Sequence, residues 1–79
     1  MDTNRVNKQL AEVAFRIREM RDICGFTEEE MALKTDVTAE EYRVYEAGQA
    51  DLPFSFIHKC SLAFGIGITD LLEDRKSVV

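Results

Sequence analysis

The chain has 79 residues, of which 46% are hydrophobic and 32% charged, and its formal net charge is −5. This length is near the lower limit for unaided folding, so we expect one domain over residues 1–79. Two cysteines without a CxxC spacing, Cys24 and Cys60, argue against a disulfide framework and favour small buried side chains. Without a secretory signal or a long apolar run, we predict a cytoplasmic protein with no membrane association.

The first predicted element is an amphipathic helix over residues 6–24. Its apolar residues recur every three or four positions, the spacing of one face of an α-helix. They are Val6, Leu10, Val13, Ala14, Ile17, Met20 and Cys24. Gly25 follows at the position expected for a helix C-cap.

Two short helices joined by a turn are predicted over residues 28–47. Thr27 precedes Glu30 by three residues and Thr38 precedes Glu41 by three, and each pair is a capping box that satisfies backbone donors at a helix start. Two boxes eleven residues apart fit a helix–turn–helix. An ordinary pair of helices in a small bundle fits these residues equally well.

The interior of this segment agrees with the two-helix prediction. Asp36 lies in the turn, where a positive φ is usually required. Gly adopts a positive φ most easily, and Asp tolerates it. The predicted apolar lining consists of small and aromatic residues at helical spacing, namely Met31, Ala32, Val37, Tyr42 and Tyr45.

Two more helices are predicted after Gly48. Pro53 suits the first turn of a fourth helix that runs to about Phe64, and its apolar face contains Phe56, Ile57, Cys60 and Phe64. A short fifth helix covers residues 68–73, with Leu71 and Leu72 packing back. No β-period alternation occurs, so the predicted fold class is all-α with five helices, and residues 74–79 form a polar tail or linker.

Short motifs between Val13 and Leu72 occur in a familiar order. They are IREMR at 17–21, GFT at 25–27, EMA at 30–32, VT at 37–38, YEAG at 45–48, Pro53, and FG at 64–65 ahead of LL at 71–72. With this pattern the chain resembles the phage-repressor-like (xenobiotic-response-element type, XRE) helix–turn–helix domain. The resemblance implies a five-helix, sequence-specific DNA-binding domain of a transcriptional regulator. Its recognition helix, about 39–46, would enter the major groove of double-stranded DNA.

Three further segments, EEY at 40–42, YEAG at 45–48 and SFIHKC at 55–60, resemble one branch of that family. In that branch a cupin β-barrel that senses a small-molecule effector follows the helix–turn–helix domain. The resemblance implies that this chain is the N-terminal domain of such a regulator, which acts as a homodimer.

The resemblance also implies a set of site residues. The expected DNA-binding residues are Thr27, Glu28, Lys34, Thr38, Ala39, Glu40, Arg43, Val44 and Gln49. Backbone amides at the two helix starts can hold phosphates, and a carboxylate on the recognition helix can accept from the cytosine amino group. A structural, partly buried ion pair is implied between Arg21 and Glu46.

The charge of the helix–turn–helix segment opposes DNA binding. Residues 27–51 carry eight acidic and two basic side chains, whereas a surface that grips phosphates should be basic. We therefore expect a monomer to bind DNA weakly. Binding would be strengthened by a dimer or by basic residues of the first helix that flank the groove, namely Arg5, Lys8, Arg16 and Arg18. The alternative is a protein-interaction module that keeps the fold, has lost its DNA contacts and docks a basic partner through its acidic face.

Catalytic and metal-binding patterns are missing from the sequence. His58 is the single histidine, and with Cys60 it does not have zinc spacing. The carboxylate pairs at 40–41 and 73–74 have no partner base, and no Gly-rich phosphate loop occurs. We expect no enzyme activity, no metal and no cofactor.

Overall fold

The computed structural model describes residues 2–72, with side chains described from residue 11 onward, and this part of the chain is all-α. Its helices are α1 (Asp2–Cys24), α2 (Glu28–Thr35), α3 (Ala39–Glu46), α4 (Phe54–Phe64) and α5 (Thr69–Leu72). No strand occurs among residues 2–72. The predicted five-helix fold class is confirmed. The predicted tail at 74–79 and the side chains of Arg5, Val6, Lys8 and Leu10 lie outside the described residues.

The helices surround one hydrophobic core. Helix α2 packs against α3 and α4, while α1 packs against α3, α4 and α5. The buried apolar residues are Val13, Ala14, Ile17, Met31, Ala32, Tyr42, Leu52, Phe56, Ile57, Cys60, Phe64 and Leu71. Every helix contributes to this core. Because α2 packs on α4 and α3 packs on α1, these two longer helices support the α2–α3 pair.

Both predicted capping boxes are present at the starts of α2 and α3. The Thr27 hydroxyl accepts from the Glu30 amide at 3.0 Å, and the Glu30 carboxylate accepts from the Thr27 amide at 2.8 Å. Thr38 and Glu41 repeat the arrangement, with both distances at 3.0 Å. Each threonine cap stabilises its helix by about 1 kcal/mol, so the two helix starts are fixed by local chemistry.

The turn between α2 and α3 depends on a residue in the left-handed region. Asp36 has φ 63° and ψ 40°, and it is the one non-glycine residue with positive φ in the described part of the chain. The Val37 amide donates to the Ala32 carbonyl at 3.0 Å, which closes the end of α2. The chain then reverses within three residues and enters α3.

Two expectations about the helix ends need adjustment. Pro53 precedes α4 as its N-cap instead of lying in its first turn, which fits a residue that has no amide hydrogen to donate. Helix α1 begins at Asp2, earlier than the apolar pattern predicted, and α5 begins at Thr69. Within the described residues, no helix is both long enough and apolar enough to cross a bilayer.

Two burial predictions are wrong. Cys24, which the sequence pattern predicts to be buried, is exposed at the C-terminal end of α1. Leu72 was expected to pack back with Leu71; Leu71 is fully buried, whereas Leu72 is 38% exposed. A four-residue helix turns only one of two adjacent leucines toward the core.

Candidate nucleic-acid interface

Helix α3 presents one face to solvent, and we call it the outer face of α3. It consists of Glu40, Arg43, Val44 and Ala47, which are all exposed and recur every three or four residues. Ala39, another expected contact residue, is half-buried and packs against the core. The expected recognition residues Glu40, Arg43 and Val44 therefore share one exposed stripe, with Ala39 at its edge.

The opposite face of α3 is held by aromatic packing. Tyr42 is completely buried, and its ring centroid lies 5.9 Å from that of Phe56 on α4. The Tyr45 ring lies 4.6 Å from the same Phe56 ring. Tilted aromatic pairs at these distances add to the stabilisation from burial alone. The inner face thus fixes the rotation of α3 about its axis, and with it the direction of the outer face.

A buried ionic network ties α3 to α1. Arg21 donates to the Glu46 carboxylate through Nε at 2.8 Å and Nη2 at 3.2 Å, and its Nη1 donates to the Phe26 carbonyl at 3.1 Å. The Tyr42 hydroxyl donates to Glu46 Oε2 at 2.6 Å. The side chains of Arg21 and Glu46 are 16% and 7% exposed, so this is a partly buried, bidentate pair.

Two pKa values follow from this network. The hydrogen bond to Glu46 raises the pKa of Arg21 above its ordinary value. Burial, followed by the hydrogen bond to Glu46, strongly raises the pKa of Tyr42. Both protons are therefore retained across the physiological range, and the network keeps a fixed pattern of donors around one carboxylate.

A second ionic cluster lies at the surface, where the start of α2 meets α3. Arg43 donates through Nε to Glu28 Oε1 and through Nη2 to Glu29 Oε2, both at 3.0 Å. The hydrogen bond to Glu28 is the main cause that raises the pKa of Arg43. The structure thus brings together two of the expected DNA-binding residues, Glu28 and Arg43. The sequence pattern did not single out Glu29, since no periodicity links residues fourteen positions apart on different helices.

Most acidic residues of the 27–51 segment are engaged within the protein. Glu30 and Glu41 close the capping boxes, Glu46 pairs with Arg21, and Asp36 lies 3.9 Å from the Lys59 ammonium. With Glu28 and Glu29, these make six of the eight acids. Glu40 and Asp51 form no such contact with the described residues. Three cations, Arg21, Arg43 and Lys59, therefore offset part of the negative charge of this segment, whereas the capping glutamates keep theirs because they bind only backbone amides and a hydroxyl.

The remaining expected contact residues are distributed around the α2–α3 unit. Lys34 lies in the last turn of α2, with its ammonium 4.7 Å above the Phe26 ring, about 9 Å along the helix from Glu28. Gln49 is exposed just after α3. The hydroxyls of Thr27 and Thr38 accept from their own helix amides. The Gln49 side chain is therefore free, the exposed Lys34 ammonium is held by the Phe26 ring, and the two threonine hydroxyls are occupied.

Metal chemistry has no support in the described residues. They contain no group of three or more His, Cys, Asp or Glu side chains placed to hold a metal ion. The lone histidine, His58, is exposed on α4.

Two capped helices joined by a left-handed turn, the second fixed on its inner face and open on its outer face, define a helix–turn–helix protein. A family model described as "Helix-turn-helix domain" matches residues 15–74, so the chain belongs to this family of DNA-binding domains. No curated protein and no solved structure gives a match.

Proposed function

We propose that this chain is a sequence-specific DNA-binding domain of a transcriptional regulator, with α3 as the helix that enters the major groove. The observation that carries the proposal is the exposed outer face of α3 on a helix whose inner face is fixed by Tyr42, Tyr45 and Glu46. A major groove about 12 Å wide admits one α-helix. A rigid support is needed because base readout requires side chains held in a constant orientation.

Phosphate contacts in this proposal are few. Arg16 donates to the Leu71 carbonyl at 2.9 Å and is committed to the fold, so it is a poor candidate for flanking the groove. Lys34, Arg18 and Gln49 are exposed. Gln49 can donate a hydrogen bond but carries no charge, so if Lys34 and Arg18 each neutralise one phosphate the slope of log affinity against log salt is about −1.8. Affinity then falls about 12-fold between 50 and 200 mM salt.

Because one copy makes so few phosphate contacts, we infer that the domain binds a two-fold symmetric operator as a homodimer. Two copies of α3 separated by one turn of B-DNA, about 34 Å, double the phosphate and base contacts. The XRE-type assignment, the cupin domain and its small-molecule effector rest on the sequence resemblance and stay predictions.

The proposal is tested by selecting from a pool of duplexes with randomised centres at 50 mM salt. The folded 79-residue chain should enrich a common motif, and its affinity for that motif should fall as salt rises. Circular dichroism on the same sample establishes that the protein is folded. A folded chain that enriches no motif at protein concentrations up to about 1 mM would overturn the proposal.

A second candidate is a protein-interaction module that docks a basic partner, and the excess of acidic residues favours it. Glu40 and Asp51 are the acids with no internal contact, so the variant Glu40→Lys/Asp51→Lys reverses exposed charge and leaves the capping boxes intact. A DNA-binding domain should gain non-specific DNA affinity from this change and alter its motif. An acidic docking module should instead lose its basic partner and gain no sequence preference.

A further inference from the structure

The side chain of Arg43 is held from one side only. Both of its hydrogen bonds, from Nε to Glu28 and from Nη2 to Glu29, leave the guanidinium on the same edge, because Nε–H and one Nη2–H point in parallel. A guanidinium has five donors in a fixed plane. The three remaining donors, two on Nη1 and one on Nη2, have no partner among the described residues.

Those remaining donors form the end of the guanidinium fork. One hydrogen of Nη1 and one of Nη2 point away from the side chain in parallel, which matches the spacing of the O6 and N7 acceptors of guanine. Arg43 lies on the outer face of α3, and its side chain is 48% exposed. The end of the fork therefore stays available to a base edge that faces α3.

The geometry points to Arg43 as the guanine-reading residue of this domain, with Glu28 and Glu29 as positioning residues that hold its guanidinium for bidentate contact. This inference rests on the proposed DNA-binding function and names the base that one residue of α3 reads. It also gives the two acids at the start of α2 a role that their charge alone would oppose.

The physical benefit of this arrangement is selectivity. A free arginine at the surface has many rotamers and can pair with any nearby phosphate, whereas an arginine held by two carboxylates has already lost most of that freedom. The three side chains together carry a charge of −1, so the cluster as a whole does not attract phosphates. Loss of Glu28 and Glu29 should raise binding to all duplexes and reduce the preference for guanine.

The test compares the motifs that three proteins enrich from the randomised duplex pool at 50 mM salt. They are the unmodified chain, Arg43→Met, and Glu28→Gln/Glu29→Gln. The unmodified chain should select guanine at one position of each half-site. Arg43→Met removes all the guanidinium donors, so preference at that position should fall about 5- to 150-fold. Glu28→Gln/Glu29→Gln should retain a weaker guanine preference and bind non-cognate duplexes more tightly.

A matched control removes the same two charges elsewhere. Glu12 and Glu19 are exposed on α1 and make no contact with Arg43, so Glu12→Gln/Glu19→Gln should raise affinity for all duplexes and leave the guanine preference unchanged. Urea unfolding of each variant separates a change in readout from a loss of folded protein.

Each outcome decides the inference. A motif whose guanine position survives Arg43→Met overturns the reading role of Arg43 and leaves the proposed DNA-binding function standing. An undiminished guanine preference in Glu28→Gln/Glu29→Gln overturns the positioning role. If the unmodified, folded chain enriches no motif, the proposed function and this inference fail together.

Discussion

The ion pair between Arg21 and Glu46 is the contact whose removal should cost the fold most. Substitution Arg21→Met keeps much of the aliphatic volume but removes both bonds to Glu46, at 2.8 and 3.2 Å. The Glu46 carboxylate, whose side chain is 7% exposed, then retains only the Tyr42 hydroxyl. Stranding a buried charge in this way costs about 3–5 kcal/mol.

This loss is large for a domain of 79 residues, whose total stability we expect to be about 4–12 kcal/mol. The midpoint of thermal unfolding should fall by about 12–40 °C, since each kcal/mol corresponds to roughly 4–8 °C at this size. Urea unfolding followed by far-UV circular dichroism gives the free energy directly. The control is Arg18→Met, because Arg18 is exposed on the same helix and should change stability by about 0.5 kcal/mol or less.

A double-mutant cycle separates the pair from its surroundings. Arg21→Met, Glu46→Gln and the combined variant should show a coupling energy of about 1–3 kcal/mol, because the double variant no longer contains a stranded charge. If Arg21→Met lowers the free energy of unfolding no more than Arg18→Met does, the reasoning is refuted. That result would mean that water solvates the charges of Arg21 and Glu46 in the folded state.

Three further predictions concern the core around this pair. Tyr42→Phe removes a hydrogen bond to a charged carboxylate and should lower the free energy of unfolding by about 1.5–3 kcal/mol in urea; an unchanged value would contradict the 2.6 Å bond. Burial raises the pKa of Cys60 to about 12 and also raises that of Tyr42. The unfolded state therefore loses these two protons at a lower pH than the folded state does, and the unfolding temperature should fall as pH rises above about 9. An unfolding temperature that stays constant up to about pH 11 would contradict this. Iodoacetamide at pH 8 should label exposed Cys24 rapidly and Cys60 only in denaturant.

The helix–turn–helix segment could be predicted from sequence because its determinants are local. A capping box involves residues three apart, and Thr27 with Glu30 forms the expected bonds without any help from tertiary structure. The left-handed turn is also local, since few residues other than Gly tolerate φ near 60° and Asp36 is one of them. These signals determine where α2 and α3 begin and how the chain turns between them.

The arrangement around Arg43 could not be predicted in this way. Glu28 and Glu29 reach Arg43 across fifteen and fourteen residues, so the contact depends on how α3 crosses the start of α2. Acidic residues in the first turn of a helix, as here in α2, are also favoured by the helix dipole, so their presence alone does not indicate a contact with another helix. The exposure of Cys24 was missed for a similar reason, because a helical stripe shows which face is apolar but not how far the neighbouring helices cover it.

The acidic charge of the segment is a consequence of how this helix pair is built. Glu30 and Glu41 cap the starts of α2 and α3, Glu46 binds α3 to α1, and Glu28 and Glu29 hold Arg43. Replacing these acidic residues by basic ones would therefore weaken the structure that presents the outer face of α3. Among the eight acids of residues 27–51, only Glu40 and Asp51 lack a contact with the described residues. In the proposed DNA complex, attraction to phosphates would therefore come from residues outside these helix starts, and a second bound copy would increase it without altering the fold.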